Sequence, residues 1–341
     1  VELIEQIAKL LLCVILFNIL LYANGESLTA LIYTIACIIS TIIALIFYFK
    51  GGGKIKPNAG LIKPILKESI PIAVVRIGTS MVAMLISVIM PAMLTRFGST
   101  LNDAVAEFGV AVGMTFPLLS IPGIIIGSIA VALLPEISSG NADEVKRQIN
   151  SSLSYSIMVS LILFPIFFIL GNKIGIWLYG NALSGKLLSV GSFLLLPLGV
   201  SQITSSILNA LGKERHGLLI QSIGAIILII SIIILPKYCG IYSLLYGFFA
   251  MNVVTCILNL LVIKNYLCYK PLSILIKNLI MCIPACLFAL FVNGICTSTT
   301  MSNLLSIIAS SSVSVGSLII MLITFNMIDL NQFLPQKLRH K

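Results

Sequence analysis

Arg76 is the side chain best placed to do chemistry, because it interrupts an apolar run: Ile70-Pro71-Ile72-Ala73-Val74-Val75-Arg76-Ile77-Gly78-Thr79-Ser80. An arginine near the middle of a bilayer helix costs about 2.5–3.5 kcal/mol on insertion scales, so it implies a water-filled cavity, a partner or an anionic ligand. Thr79, Ser80, Ala83 and Ser87 follow it at i+3, i+4, i+7 and i+11, which is one face of a helix. A small polar stripe headed by a cation suits a helix that lines an aqueous cavity. The other reading is snorkelling: Arg76 lies about 13 Å past Lys67 at ~1.5 Å per residue, and its own stem covers part of that. The sequence leaves both readings open.

Two more features carry polar chemistry. Gln202, Ser206 and Asn209 recur at i, i+4 and i+7, with Ser201 and Ser205 beside them. Amides are costly in lipid, so this face is expected to point into the protein or a cavity. The run 108–134 contains Gly109, Gly113, Pro117, Pro122, Gly123 and Gly127. Proline removes a backbone donor and bends a helix, and glycines four apart admit a close neighbour. Broken helices of this kind surround transport sites, and they also occur as simple kinks. Pro117, Pro122 and Gly123 are therefore candidate gating or kink positions, and Arg76, Thr79, Ser80, Gln202 and Asn209 candidate substrate contacts. Ser306, Ser310, Ser314 and Ser317 read as a close-packing face.

Catalytic groupings are missing. Asp103 and Glu107 fall near one span end and Glu136 near another, so no acidic group is expected at a span centre. The sequence holds no Ser-His-Asp, Cys-His or paired-carboxylate arrangement, which favours transport over catalysis. No cofactor is expected. His216 and His340 are the only histidines, no CxxC occurs, and Cys13, Cys37, Cys256, Cys282 and Cys286 lie in apolar runs, so no metal site is expected either.

The elements that must hold these groups are membrane helices. The 341 residues are 59% hydrophobic and 9% charged, with a mean hydropathy of +1.13, a balance no soluble domain of this size shows. The formal charge of +10 does not read as a nucleic-acid face, because the basic residues sit in short loops between apolar runs. A span needs about 20 apolar residues. That ruler predicts an all-α bundle of about ten spans near 7–23, 28–49, 68–95, 108–134, 152–171, 187–210, 216–235, 241–263, 272–292 and 303–326. Lysines 50, 54, 56, 63 and 67 crowd one loop; Lys146, Arg147, Lys213, Arg215, Lys264, Lys270, Lys277, Lys337, Arg339 and Lys341 fall on the same side. Arg96, Lys173, Lys186 and Lys237 fall on the other, so both ends of the chain are expected in the cytoplasm. The stretch 50–67 lacks phosphate-loop spacing and reads as a basic linker. The chain begins at Val1 with an apolar run close behind, and a missing N-terminal part is expected.

Several segments carry a family resemblance. Lys67-Glu68-Ser69-Ile70-Pro71-Ile72-Ala73, Phe116-Pro117-Leu118-Leu119-Ser120-Ile121-Pro122, Ala132-Leu133-Leu134-Pro135-Glu136-Ile137-Ser138 and Ile207-Leu208-Asn209-Ala210-Leu211-Gly212-Lys213 resemble the second half of polysaccharide-biosynthesis flippases. The resemblance is to the stage V sporulation protein B branch, relatives of lipid II flippases in the multidrug/oligosaccharidyl-lipid/polysaccharide exporter superfamily. It implies two six-helix lobes plus two extra C-terminal helices. On that plan 1–49 closes a first lobe, 68–266 forms the second, 267–330 adds two helices and 331–341 is a cytoplasmic tail. It implies a substrate linked to undecaprenyl diphosphate, moved by alternating access across a bacterial cytoplasmic membrane for wall or spore-cortex synthesis. Membrane lipids and cell-wall synthesis proteins would be its partners. Arg76 is the position offered to the diphosphate.

Two alternatives share part of this pattern. A cation-coupled multidrug exporter would want a central carboxylate. A non-transporting scaffold would want a large soluble loop or tail.

Overall fold

The computed structural model of the chain describes residues 2–19, 25–52, 59–139, 141–264, 283–284, 286–295 and 303–324. All regular structure among them is helical, as the apolar run lengths require. Among the described residues, five helices are long and apolar enough to cross a membrane, or six if one bent pair counts as a span. The segment Cys286–Ile295 is a shorter apolar helix. The protein is a multi-pass membrane protein.

The chain forms two compact units, Val1–Ala73 and Val74–Lys341. In the first, α1 (Glu2–Ile19) packs antiparallel to α2 (Gly25–Lys50). α2 buries Leu28, Ile32, Ala36 and Ser40, a stripe at four-residue spacing. The division between the units falls within α3 (Ala59–Arg96). That helix begins inside the stretch expected to be linker. Hydropathy marks where lipid begins, and a helix rich in lysine and leucine continues past that point. Much of the run expected as a span at 272–292 lies outside the described residues.

In the second unit the chain continues through α4 (Leu101–Gly109), a π-helical turn (Val110–Thr115), α5 (Phe116–Leu119) and α6 (Ile121–Ser139). Next is α7 (Ala142–Tyr179), which ends on Gly180 in the left-handed conformation, φ 63°. α8 (Ala182–Gly191) runs through one 3₁₀ turn into α9 (Leu195–Ala210). Then come α10 (Glu214–Ile234), α11 (Pro236–Cys239), α12 (Tyr242–Ile263), α13 (Cys286–Ile295) and α14 (Asn303–Thr324). At 38 residues, α7 far exceeds the apolar stretch 152–171 from which its span was read. Lys173, expected in a loop, is therefore a helix residue.

Two apolar cores hold this unit together. One gathers Met90, Leu119, Leu170, Leu188, Leu228 and Leu244; the other gathers Ile126, Ile149, Leu153, Ile203, Ile207 and Ile263. Along α9, α10 and α12 one core gives way to the other around Gly199, Gly224 and Asn252. The polar side chains collect around that junction.

Candidate functional site

The broken span is the first component. Pro117 and Pro122 cannot donate to the helix ladder, and Ser120 occupies a turn between them. The segments Leu101–Leu119 and Ile121–Ala132 meet at 44°. The π turn precedes the break, a common accommodation where an i→i−4 ladder is disturbed. Ser120 Oγ donates to Pro117 O at 2.7 Å. Buried Thr115 is shared between Val110 O and Ser184 O of α8, 3.4 Å from each. Pro117 is exposed, whereas Pro122 and Gly123 are buried.

Gln202 joins this break to α9. Its Nε2 donates to Gly123 O at 2.8 Å. A Cβ on Gly123 would lie 2.7 Å from Gln202 Oε1, and one on Gly127 would lie 3.2 Å from Nε2. The two glycines thus form a notch that admits the amide. Two separately expected features, the α9 stripe and the Pro-Gly break, come together here. Gln202→Met keeps the side-chain length and removes the bond. Intramembrane hydrogen bonds average about 0.6 and reach about 1.7 kcal/mol, so unfolding stability is expected to fall by about that much. Equal stability by reversible unfolding would show that the bond is not made.

The other expected contacts lie elsewhere. Asn209 is exposed in the last turn of α9, and its carbonyl accepts from Gly212 N at 3.1 Å. Ser80 is exposed on α3. The backbone of Arg76 and Thr79 is helical in α3, and their side chains lie outside the described residues.

Sequence reasoning missed a buried polar layer behind the α9 stripe. Asn252, Thr255 and Asn259 form one face of α12. Ser201 Oγ donates to Asn252 Oδ1 at 2.7 Å. Asn259 Nδ2 donates to Thr204 Oγ1 and Ser205 Oγ, each at 3.0 Å, and Gln221 Nε2 reaches Ser205 Oγ at 3.4 Å. Asn259 Oδ1 is buried without a partner among the described residues. The signal was present in the sequence as amides at i and i+7 in the run 241–263.

Two further charged groups sit within helices. Lys173 Nζ on α7 donates to Asn293 Oδ1 of α13 at 2.7 Å and to Ser306 Oγ of α14 at 3.2 Å. It ties the two C-terminal helices to α7 through neutral partners, and Ser306, Ser310 and Ser314 are buried on one face of α14. In the first unit, Lys9 Nζ lies 2.6 Å from Glu5 Oε1 on α1. Glu5 Oε1 also accepts from Cys37 Sγ at 3.7 Å, and Lys9 Nζ stands 4.4 Å from the centre of the Tyr33 ring. Both contacts are to α2, so the pair lies on the side of α1 that meets α2.

No protein-family model matches the sequence, and no curated protein does. A solved structure, "Lipid II flippase MurJ, inward closed conformation", matches with a TM-score of 0.68 over 95% of this chain. The two chains are 16% identical. They share a fold. This chain spans 66% of the length of that flippase chain.

On that fold, the second unit provides a bent span latched to a neighbouring helix, a buried amide layer and the intrahelical Lys173. Such groups can hydrogen-bond sugars or hold anions without performing covalent chemistry. Among the described residues, no three His, Cys, Asp or Glu side chains are grouped to hold a metal ion.

Proposed function

We propose that this chain belongs to a flippase that carries undecaprenyl-diphosphate-linked glycan or peptidoglycan precursors across a bacterial cytoplasmic membrane. The observation that carries the reading is the fold shared with a lipid II flippase over 95% of the chain. The buried polar layer and the latched break support it, since a hydrated headgroup needs polar faces at membrane depth. In this reading the Arg76 guanidinium pairs with diphosphate oxygens. Thr79, Ser80, Gln202 and Asn209 hydrogen-bond the headgroup, and the Pro117–Gly123 break bends as the cavity changes sides. The lysines and arginines of the predicted loops support a cytoplasmic position for both ends of the chain. The substrate's exact glycan decides between vegetative wall and spore cortex.

The test is the level of lipid-linked precursors in cells depleted of the protein and complemented with wild type or Arg76→Ala at equal membrane abundance. Wild type is expected to clear the accumulated precursor and Arg76→Ala to leave it. Equal clearance would remove Arg76 from the headgroup site. No accumulation on depletion, with other flippases also removed, would sink the flippase reading.

A further inference from the structure

Glu5 and Lys9 form an i,i+4 ion pair on α1 that also reaches across to α2. The span in α2 covers Leu28–Lys50, and Cys37 lies within two residues of its centre. At ~1.5 Å per residue it is about 14 Å from Leu28 and about 20 Å from Lys50. Glu5 reaches Cys37 and Lys9 reaches Tyr33, so contacts with α2 fix the depth of the pair. A carboxylate and an ammonium therefore stand opposite the middle of the apolar run of α2, where each alone is expensive in lipid. Neither is sealed away: the side chains retain 26% and 17% of their accessible surface. Beside them an open groove runs along α2, lined by Tyr33, Thr34, Cys37, Ile38, Thr41 and Ile42. Thr34 and Thr41 turn their hydroxyls back to Ala30 O and Cys37 O, so the groove wall is mostly apolar and its hydroxyls are satisfied within α2.

We infer that Glu5 and Lys9 form a proton-exchange site that admits an anionic headgroup to Lys9 at mid-depth. The inference rests on the flippase reading above. Protonating Glu5 alone strands Lys9 as an unpaired cation in a low-dielectric region. Bringing a phosphate to Lys9 alone sets two negative groups on one ammonium. Together the two events exchange one ion pair for another: the proton from solvent goes to the Glu5 carboxylate, and a phosphate oxygen takes its place on Lys9. The titratable groups facing the pair among the described residues are Cys37 of α2 against Glu5 and Tyr33 of α2 against Lys9. None is a second acid of carboxylate strength, so the exchanged proton belongs to Glu5. By linkage, proton uptake on binding strengthens the affinity for the anion as pH falls.

The test uses the full chain in nanodiscs with farnesyl diphosphate as the probe. Binding and net proton uptake are followed across a pH series. Farnesyl diphosphate titrates itself, so the readout is the difference between wild type and Glu5→Gln. Wild type is expected to take up about one proton more per probe bound, and its affinity to rise about tenfold further per pH unit of acidification. Glu5→Gln should bind at all pH values without that extra proton. Lys9→Met should bind weakly and without it, and Lys9→Arg should retain it, which separates charge from folding. Identical uptake in wild type and Glu5→Gln overturns the inference. Absence of probe binding overturns it while the flippase reading stands, provided wild type still clears precursor in cells. If precursor is not cleared, the flippase reading falls and the inference with it.

Discussion

Gly175→Leu is expected to remove correctly folded protein from the membrane, read as loss of the monodisperse peak of a fluorescent fusion on gel filtration. A Cβ at Gly175 would overlap the backbone N and Cα of Gly185 on α8. The contact is reciprocal: a Cβ on Gly185 would lie 2.6 Å from Asn172 Cα and 2.9 Å from Gly171 O. One turn earlier, a Cβ on Gly171 would lie 2.8 Å from Ser189 N. α7 and α8 thus touch backbone to backbone along a Gly171–Gly175 seam, which small residues permit and lipid cannot replace. A clash with a flexible side chain is relieved by rotation, but here the obstacle is main chain, so whole helices must separate. Overpacking by a methylene or two costs about 1–3 kcal/mol in a core. A leucine in a backbone seam exceeds that and approaches the roughly 5–15 kcal/mol that holds a domain folded. Gly113→Leu is the control, because nothing lies within 4 Å of a Cβ there. A normal Gly175→Leu peak would mean that α7 and α8 are farther apart.

The long helices were legible because lipid imposes a length, and the break at Pro117–Gly123 because proline lacks a donor. The Gly171–Gly175 spacing was equally visible, yet only its packing against Gly185 distinguishes a seam from two incidental glycines. Gln202 was expected to face inward. That its partner is Gly123 depends on the approach of α6 to α9, which no local pattern encodes. Glu5 and Lys9 were hidden for a different reason. Read along α1 they look like charges flanking an apolar run, and their depth emerges from the register with Cys37 and Tyr33 across the hairpin. Sequence gives a residue's place along its own helix; depth in the bilayer is a property of neighbours.

Gly199→Ala is expected to destabilise the second unit and to be rescued in part by Ser160→Ala, whereas Gly199→Val should fail with or without it. A Cβ on Gly199 would overlap Ser160 Oγ and lie 2.9 Å from Ile126 Cδ1 and 3.2 Å from Ser156 Oγ. Helices α6, α7 and α9 therefore converge on Gly199, three residues before Gln202. The severe obstacle is a hydroxyl whose own bond is to Ser156 O at 2.9 Å, on the same helix. Deleting it costs α7 little and vacates the space the new methyl needs. What remains is the Ile126 contact, which a rotamer change relieves for alanine but not for the branched valine. The single alanine should cost about 1–3 kcal/mol and the double variant should recover most of it, giving a coupling beyond the ~0.5 kcal/mol expected of independent sites. Additive effects would show that the two helices do not meet at Gly199. The same substitution probes function, because a methyl that pushes α9 from α6 also draws Gln202 from Gly123. Precursor clearance should then fall in Gly199→Ala and return with stability in the double variant. Stability restored without clearance would show that the α6–α9 spacing itself, rather than the fold it supports, is what transport requires.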